Sequence, residues 1–319
     1  MEEIFEKNTS ARPTILWANV LYMLSATMQQ PIAYLVVGLF ALFAPNAGLE
    51  IMSGTASAAY QVLILGLLGV WFAIKRPDTL PSMRLNPPRF GLMLGAAALG
   101  FAGVLLANNL GTWWMLLLDR IGIPLSESAV SVPTNSQELL RGILLIGVLP
   151  GVCEELFFRG MMMSAWERRG TRTALTVSSV LFAILHGSVM GFPVQLMMGF
   201  VLGYLALASN SLYVSMTYHT VYNSATLILA HLSAQSGGTD SSIYEHLTEY
   251  VEQSIGYMPL LQSTLMTIGL FAVVLMLMKK GLPKLDWHKS EENSQLNRRE
   301  ILTLIAALVA VIFLWITNF

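Results

Sequence analysis

Three ionisable side chains lie in the middle of an otherwise apolar stretch of the sequence. Glu154, Glu155 and Arg159 occur in CEELFFRG, between ILLIGVLPGV and MMMSAW. Two histidines, His186 and His219, lie in two further apolar runs. A charged side chain near the centre of a bilayer costs at least ~2.5–3.5 kcal/mol on insertion scales, so such groups are usually paired and functional. We therefore expect these five side chains to share one water-containing site.

Helical geometry predicts different roles for the two adjacent acids. At about 100° per residue, Glu155 and Arg159 share one helix face, whereas Glu154 and Arg159 are about 140° apart. Glu155 can then be neutralised by Arg159, while Glu154 needs a partner on another helix, for which the histidines are candidates. A carboxylate in an apolar site near an imidazole is typical of a general base. The alternative is that both acids only tie helices together.

The other candidate residues lie on two later apolar segments. The segment that ends at His186 is short for a membrane span and is followed by Gly187, Gly191 and a proline. We expect its helix to end inside the membrane, with His186 facing an aqueous cavity, because broken backbone at that depth is tolerated only where it is buried or lines such a cavity. His219 and Asn223 are four residues apart, so both can point at one substrate atom.

These residue types suit the attack of an activated water on an acyl carbon. The sequence contains no H-E-x-x-H, G-x-S-x-G or P-loop motif. Glu154, assisted by His186, would take a proton from the water, while His219 and Asn223 would donate hydrogen bonds to the oxyanion.

A divalent metal is the competing use of the same groups, since Glu154, His186 and His219 make a credible zinc set. The spacing alone leaves both options open. We favour a reaction without a cofactor, because Asn223 suits an oxyanion donor and no carboxylate is evident behind the histidines in the helices.

The composition indicates which elements must position these residues. Hydrophobic residues make up 55% of the 319 residues, charged residues make up 12%, and the mean hydropathy is +0.61. These values predict an integral membrane protein with the lipid bilayer as its surroundings. The net charge of −1 provides no basic field for nucleic acid, so we expect no nucleic-acid partner. A single cysteine, Cys153, excludes an intramolecular disulfide framework.

Nine apolar runs have about the length that crosses a ~30 Å hydrocarbon core. They lie at residues 15–44, 53–74, 91–118, 139–165, 173–190, 193–209, 212–232, 258–278 and 301–318. The first run is overlong and contains Gln29-Gln30-Pro31, so it is either a tilted span or an interfacial segment followed by a span. We predict an all-α, polytopic membrane bundle of about eight to nine transmembrane helices, with the active site in an intramembrane cavity. Residues 1–319 form one domain in this interpretation, with a motif-bearing core at about 138–225.

The basic residues predict the orientation of the bundle. Lysine and arginine cluster in the connections at 75–89, 168–172 and 279–299, and nine alternating spans put all three on one side. The positive-inside rule makes that side cytoplasmic. We therefore expect a multi-pass protein of the plasma membrane with a cytoplasmic N-terminus and an external C-terminus.

Three short motifs occur in order on successive apolar helices. They are Glu154-Glu155-x-x-x-Arg159, Phe182-x-x-x-His186 and His219-x-x-x-Asn223. This ordered set resembles the CPBP family of CAAX proteases and bacteriocin-processing enzymes, also called the Abi family. The resemblance covers roughly residues 138–225.

The resemblance implies an α-helical intramembrane endopeptidase that cuts a membrane-associated peptide or protein. It also implies that Glu154 and His186 activate water, that His219 and Asn223 serve the oxyanion or further ligation, and that Glu155 and Arg159 support the site. Members of the family are described as glutamate-dependent or metal-dependent. They include enzymes that trim prenylated CAAX proteins and others that confer bacteriocin immunity.

A second class of function uses the same residues without proteolysis. The acids and histidines would then form a proton or ion path in a transporter, or belong to a non-catalytic immunity scaffold. A transporter favours charges spread over several helices and an internal repeat, neither of which the sequence shows. The clustering of the groups favours catalysis.

Overall fold

The computed structural model describes residues 13–75, 83–125, 132–236, 247–285, 287 and 296–318. Within these ranges the chain is helical and contains no strand. The predicted all-α fold class is confirmed at this level. The connections used to predict the orientation lie partly outside the described residues, so the positions of the two termini relative to the membrane stay a prediction.

Twelve α-helices are described, and we number them in chain order. They are α1 Ile15–Phe43, α2 Leu49–Lys75, α3 Phe90–Arg120, α4 Ser136–Gly142, α5 Leu149–Glu155, α6 Met163–Trp166, α7 Thr171–Leu185, α8 Phe192–Ser209, α9 Leu212–Gln235, α10 Leu247–Tyr250, α11 Tyr257–Lys279 and α12 Arg298–Asn318. Two π-helical segments, Ile143–Val148 and Leu156–Met162, join α4, α5 and α6. The resulting stretch of residues 136–166 is called the Glu helix below.

Five of the described helices are long and apolar enough to cross a membrane. They are Ile15–Phe43, Ile51–Ile74, Phe90–Arg120, Phe192–Ser209 and Tyr257–Lys279. The overlong first run is a single helix of 29 residues that continues through Pro31. At about 1.5 Å per residue it exceeds the thickness of the hydrocarbon core, which favours a tilted span. The total of eight to nine spans stays a prediction.

Small residues bring neighbouring helices together. A Cβ atom added at Gly199 would lie 2.8 Å from the carbonyl oxygen of Ser179, so α7 and α8 touch through backbone at this point. A Cβ atom at Gly100 would lie 2.8 Å from the carbonyl oxygen of Tyr218, which places α3 equally close to α9. Such contacts are typical of membrane helix packing, where side-chain volume limits the approach.

The chain breaks between α7 and α8, next to His186. Helix α7 has 15 residues and ends at Leu185, His186 follows as its C-cap, and Gly187 adopts a φ of 62°. Two tryptophans stabilise this break, since Trp315 donates to the Ile184 carbonyl at 2.6 Å and Trp114 donates to the Val189 carbonyl at 2.8 Å. The predicted helix end near His186 is confirmed, whereas its depth in the membrane stays a prediction.

Candidate active site

The Glu helix approaches α9 closely through two glycines one turn apart. A Cβ atom at Gly147 would lie 2.5 Å from Ser224 Oγ, and one at Gly151 would lie 3.0 Å from the backbone nitrogen of Thr220. Any larger side chain at these positions would push the two helices apart. The pair therefore sets the distance between the acids of the Glu helix and the histidine of α9.

We expect Gly151→Ala to lower the free energy of unfolding by about 1–3 kcal/mol, because the added methyl group must displace the backbone of α9. Gly69→Ala in α2 is the matched control, since a Cβ atom there meets nothing within 4 Å. Denaturation of both purified variants in detergent would measure the difference. Equal stability of the two variants would show that this approach does not constrain the site.

Glu155 forms a buried ion pair with Arg159 and also contacts His219. Its Oε1 accepts hydrogen bonds from Arg159 at 2.9 Å and from His219 Nδ1 at 3.0 Å. The side chains of Glu155 and Arg159 are fully buried. Arg159 also donates to the Gly199 carbonyl at 3.2 Å, and its guanidinium lies 4.4 Å from the ring centroid of Phe182. The predicted pairing of Glu155 with Arg159 is confirmed.

The contact of Glu155 with His219 corrects one expectation from the sequence. From the sequence we expected no carboxylate behind the histidines, and this is wrong for His219. Spacing along one helix could not reveal the contact, because the two residues are 64 positions apart and meet only through helix packing. A carboxylate in this position fixes the orientation and tautomer of an imidazole.

Glu154 points away from that ion pair and reaches two other helices. Its Oε1 accepts a hydrogen bond from Gln61 Nε2 of α2 at 2.8 Å, and its Oε2 lies 4.0 Å from His219 Nε2. The expectation that Glu154 finds its partner on another helix is confirmed. The bonded partner, however, is the Gln61 amide rather than one of the expected histidines. A lone glutamine within the apolar run AAYQVLIL was the available signal.

A cavity of about 250 Å³ lies beside Glu154 and His186. Eleven residues from α1, α2, the Glu helix and the end of α7 line it: Gln29, Ala33, Ala56, Ser57, Tyr60, Gln61, Ile64, Glu154, Phe158, Leu185 and His186. His186 Nδ1 donates to the Phe182 carbonyl at 2.8 Å. Because a carbonyl only accepts, this bond puts the proton on Nδ1 and leaves Nε2 as an acceptor in the neutral ring.

Asn223, like His219, lies outside the set of residues that line the cavity. Its amide donates to the carbonyl of Ile146 at 3.1 Å. That carbonyl lies four residues before Pro150, which has no N–H to donate to it. Asn223 thus satisfies an acceptor of the Glu helix with one amide hydrogen, and the second hydrogen remains for another partner.

A protein-family model matches the segment that contains the candidate site residues. Residues 136–225 match the family model described as type II CAAX prenyl endopeptidase Rce1-like. This is the CPBP family. The recognition made from the three motifs is confirmed, and the match contains all three of them. No curated protein and no solved structure matches the chain. The CPBP match and the apolar helices support a multi-pass membrane peptidase.

Metal-dependent CPBP chemistry requires a set of ligands that the described residues do not form. The Nε2 atoms of His186 and His219 are the ring nitrogens directed away from the Phe182 carbonyl and from Glu155, as in metal-binding histidines. Within the described ranges, however, no three His, Cys, Asp or Glu side chains are grouped so that they could hold a metal ion. The described side chains therefore offer no ready-made metal site, and the reaction that we propose below uses none.

Proposed function

We propose that the protein is an intramembrane endopeptidase in which Glu154 activates water against a peptide bond of a membrane-associated substrate. The observation that carries this proposal is the position of Glu154. Its carboxylate lines the cavity together with His186 and has His219 Nε2 4.0 Å from Oε2, while the neighbouring acid neutralises Arg159. The CPBP match of residues 136–225 supports peptidase activity in general.

In the proposed reaction Glu154 carries one proton from the water to the leaving nitrogen, and a C–O bond replaces the C–N bond. Glu154 takes a proton from a water in the cavity as the water oxygen attacks the carbonyl carbon of the substrate. His186 Nε2 accepts a hydrogen bond from the same water and orients it. When the tetrahedral intermediate collapses, the C–N bond breaks and Glu154 returns the proton to the leaving nitrogen. The products are a new carboxyl group and a new amino group.

Stabilisation of the oxyanion falls to His219 and Asn223. His219 Nε2 faces the region of Glu154, and its Nδ1 donates to Glu155, which fixes the orientation of the ring. In the proposed reaction a proton on Nε2 is donated in a hydrogen bond to the oxyanion. Asn223 contributes its second amide hydrogen. Donors held in position before the reaction stabilise a developing oxyanion more than water does.

The substrate and the setting complete the proposal. Peptide segments enter from the bilayer, and the predicted topology places the N-terminus in the cytoplasm and the C-terminus outside the plasma membrane. The test is incubation of purified protein in detergent with a library of apolar peptides, with and without a chelator. We expect defined new termini by mass spectrometry and equal cleavage in both samples. No cleavage of any peptide, or reversible loss of cleavage with the chelator, would contradict the proposal.

We expect Asn223→Ala to lower kcat by about 10²–10³ with little change in KM, because only the oxyanion loses a donor. Asn109→Ala is the matched control, since Asn109 makes a comparable hydrogen bond to Thr267 on α11, outside the cavity lining. Steady-state kinetics on a cleaved peptide measure both. A lowered melting temperature with unchanged kcat would mean that Asn223 serves only the Ile146 carbonyl.

A further inference from the structure

Gln61 is a buried polar side chain in an apolar helix. It lies in α2, is 2% exposed and lines the cavity beside Glu154. Its Nε2 donates to Glu154 Oε1 at 2.8 Å, and its Oε1 has no hydrogen-bond partner among the described residues. Burial of an unsatisfied amide oxygen costs free energy. The contact with the carboxylate therefore determines the orientation of this amide, since a flip would place two oxygens against each other.

We propose that Gln61 is a positioning residue for Glu154. The inference rests on the proposed function, in which Glu154 is the general base. The hydrogen bond to Oε1 fixes the plane of the carboxylate, so its two oxygens have different roles. Oε2, the oxygen 4.0 Å from His219 Nε2, is left to receive the proton of the water.

The type of residue at this position suits the task. A neutral amide stabilises the ionised carboxylate through a hydrogen bond and adds no charge of its own. A lysine or arginine in its place would form an ion pair and suppress the basicity of the carboxylate. Arg159 forms such an ion pair with Glu155, at 2.9 Å, which is the reason why the two adjacent acids differ in role.

Gln61 lines the same cavity, but its Oε1 is shielded from any molecule that enters. Gln61 therefore acts on the base through its Nε2 and the Glu154 carboxylate. Its effect falls on turnover rather than on binding of the peptide.

The test compares Gln61→Met with Gln253→Met in the steady-state kinetics of peptide cleavage. Gln253 also donates to a glutamate, Glu249 Oε1 at 2.9 Å, but on an exposed surface outside the cavity lining. We expect Gln61→Met to lower kcat about 10- to 100-fold with KM within about twofold. A loss in kcat alone indicates a misplaced base, because weaker binding of the peptide would raise KM. Gln253→Met keeps the wild-type kcat and KM.

Two outcomes overturn the inference. One is an unchanged kcat for Gln61→Met, and the other is a lowered melting temperature with an unchanged kcat in the folded protein. If Gln61→Met does not fold, Gln61→Asn keeps the amide but shortens its reach, and the same loss of kcat is expected. Full activity of Glu154→Gln removes the proposed function as well, whereas inactive Glu154→Gln beside a wild-type kcat for Gln61→Met overturns this inference alone.

Discussion

Glu154→Gln is expected to lower kcat by a factor of about 10²–10⁴ while keeping the fold, because the amide has the shape of the carboxylate but cannot accept a proton from water. Turnover of a cleaved peptide and thermal melting in detergent measure the two effects. Glu249→Gln is the matched control, since that carboxylate also accepts a hydrogen bond from a glutamine, at 2.9 Å, but is exposed.

The stability of Glu154→Gln separates a catalytic role from a structural one. The side chain of Glu154 is 13% exposed at the cavity and makes no ion pair with an arginine or lysine in the part of the chain that the structure describes. Its replacement therefore leaves no buried charge unpaired. Wild-type turnover in this variant would remove the catalytic assignment, and a large loss of stability would indicate a structural role.

Glu155→Gln is expected to lower the free energy of unfolding by about 3–5 kcal/mol, because it leaves the Arg159 guanidinium unpaired in a fully buried position. Denaturation in detergent, monitored by circular dichroism, measures this loss. Glu252→Gln is the control, since it removes an exposed pair with Arg120 at 3.7 Å that is worth at most about 1 kcal/mol.

A different outcome for Glu155→Gln would exchange the roles of the two acids. A variant that is as stable as wild type but inactive would place the base at Glu155. The hydrogen bond from His219 Nδ1 to Glu155 makes this comparison informative, since loss of that bond also frees the imidazole to rotate. We expect the surviving folded fraction of Glu155→Gln to show reduced turnover through misplacement of His219.

Periodicity and spacing predicted the features that depend on a single helix. The i,i+4 pair of Glu155 and Arg159 follows from helical geometry, and the apolar runs follow from the cost of polar groups in lipid. The end of α7 beside His186 follows from the glycines and the proline behind it. Each of these expectations needs only neighbouring residues.

Contacts between helices could not be predicted from the sequence. Gln61 meets Glu154 across 93 positions, and Asn223 meets Ile146 across 77, because α2 and α9 pack on the Glu helix at particular rotations. No spacing rule gives these rotations without knowledge of which helices are neighbours. The glycines that permit the approach, such as Gly151, were visible, but their partners were not.

The contact between Glu155 and His219 also changes the argument about metals. The preference for a metal-free reaction had two grounds in the sequence, and the absence of a carboxylate behind the histidines was one of them. That ground is lost, since Glu155 occupies this position at 3.0 Å. The metal-free proposal now depends on the grouping of the side chains and on the donor role of Asn223.

The most direct test of the proposed mechanism is a single turnover of a cleaved peptide in H₂¹⁸O, quenched at intervals, with wild type beside Glu154→Gln. The proposal predicts one ¹⁸O atom in the new carboxyl group, no peptide attached to the protein in intact-mass spectra, and turnover in Glu154→Gln lowered by about 10²–10⁴. A covalent peptide adduct that forms and decays during turnover would contradict it. Wild-type cleavage by Glu154→Gln would contradict it as well.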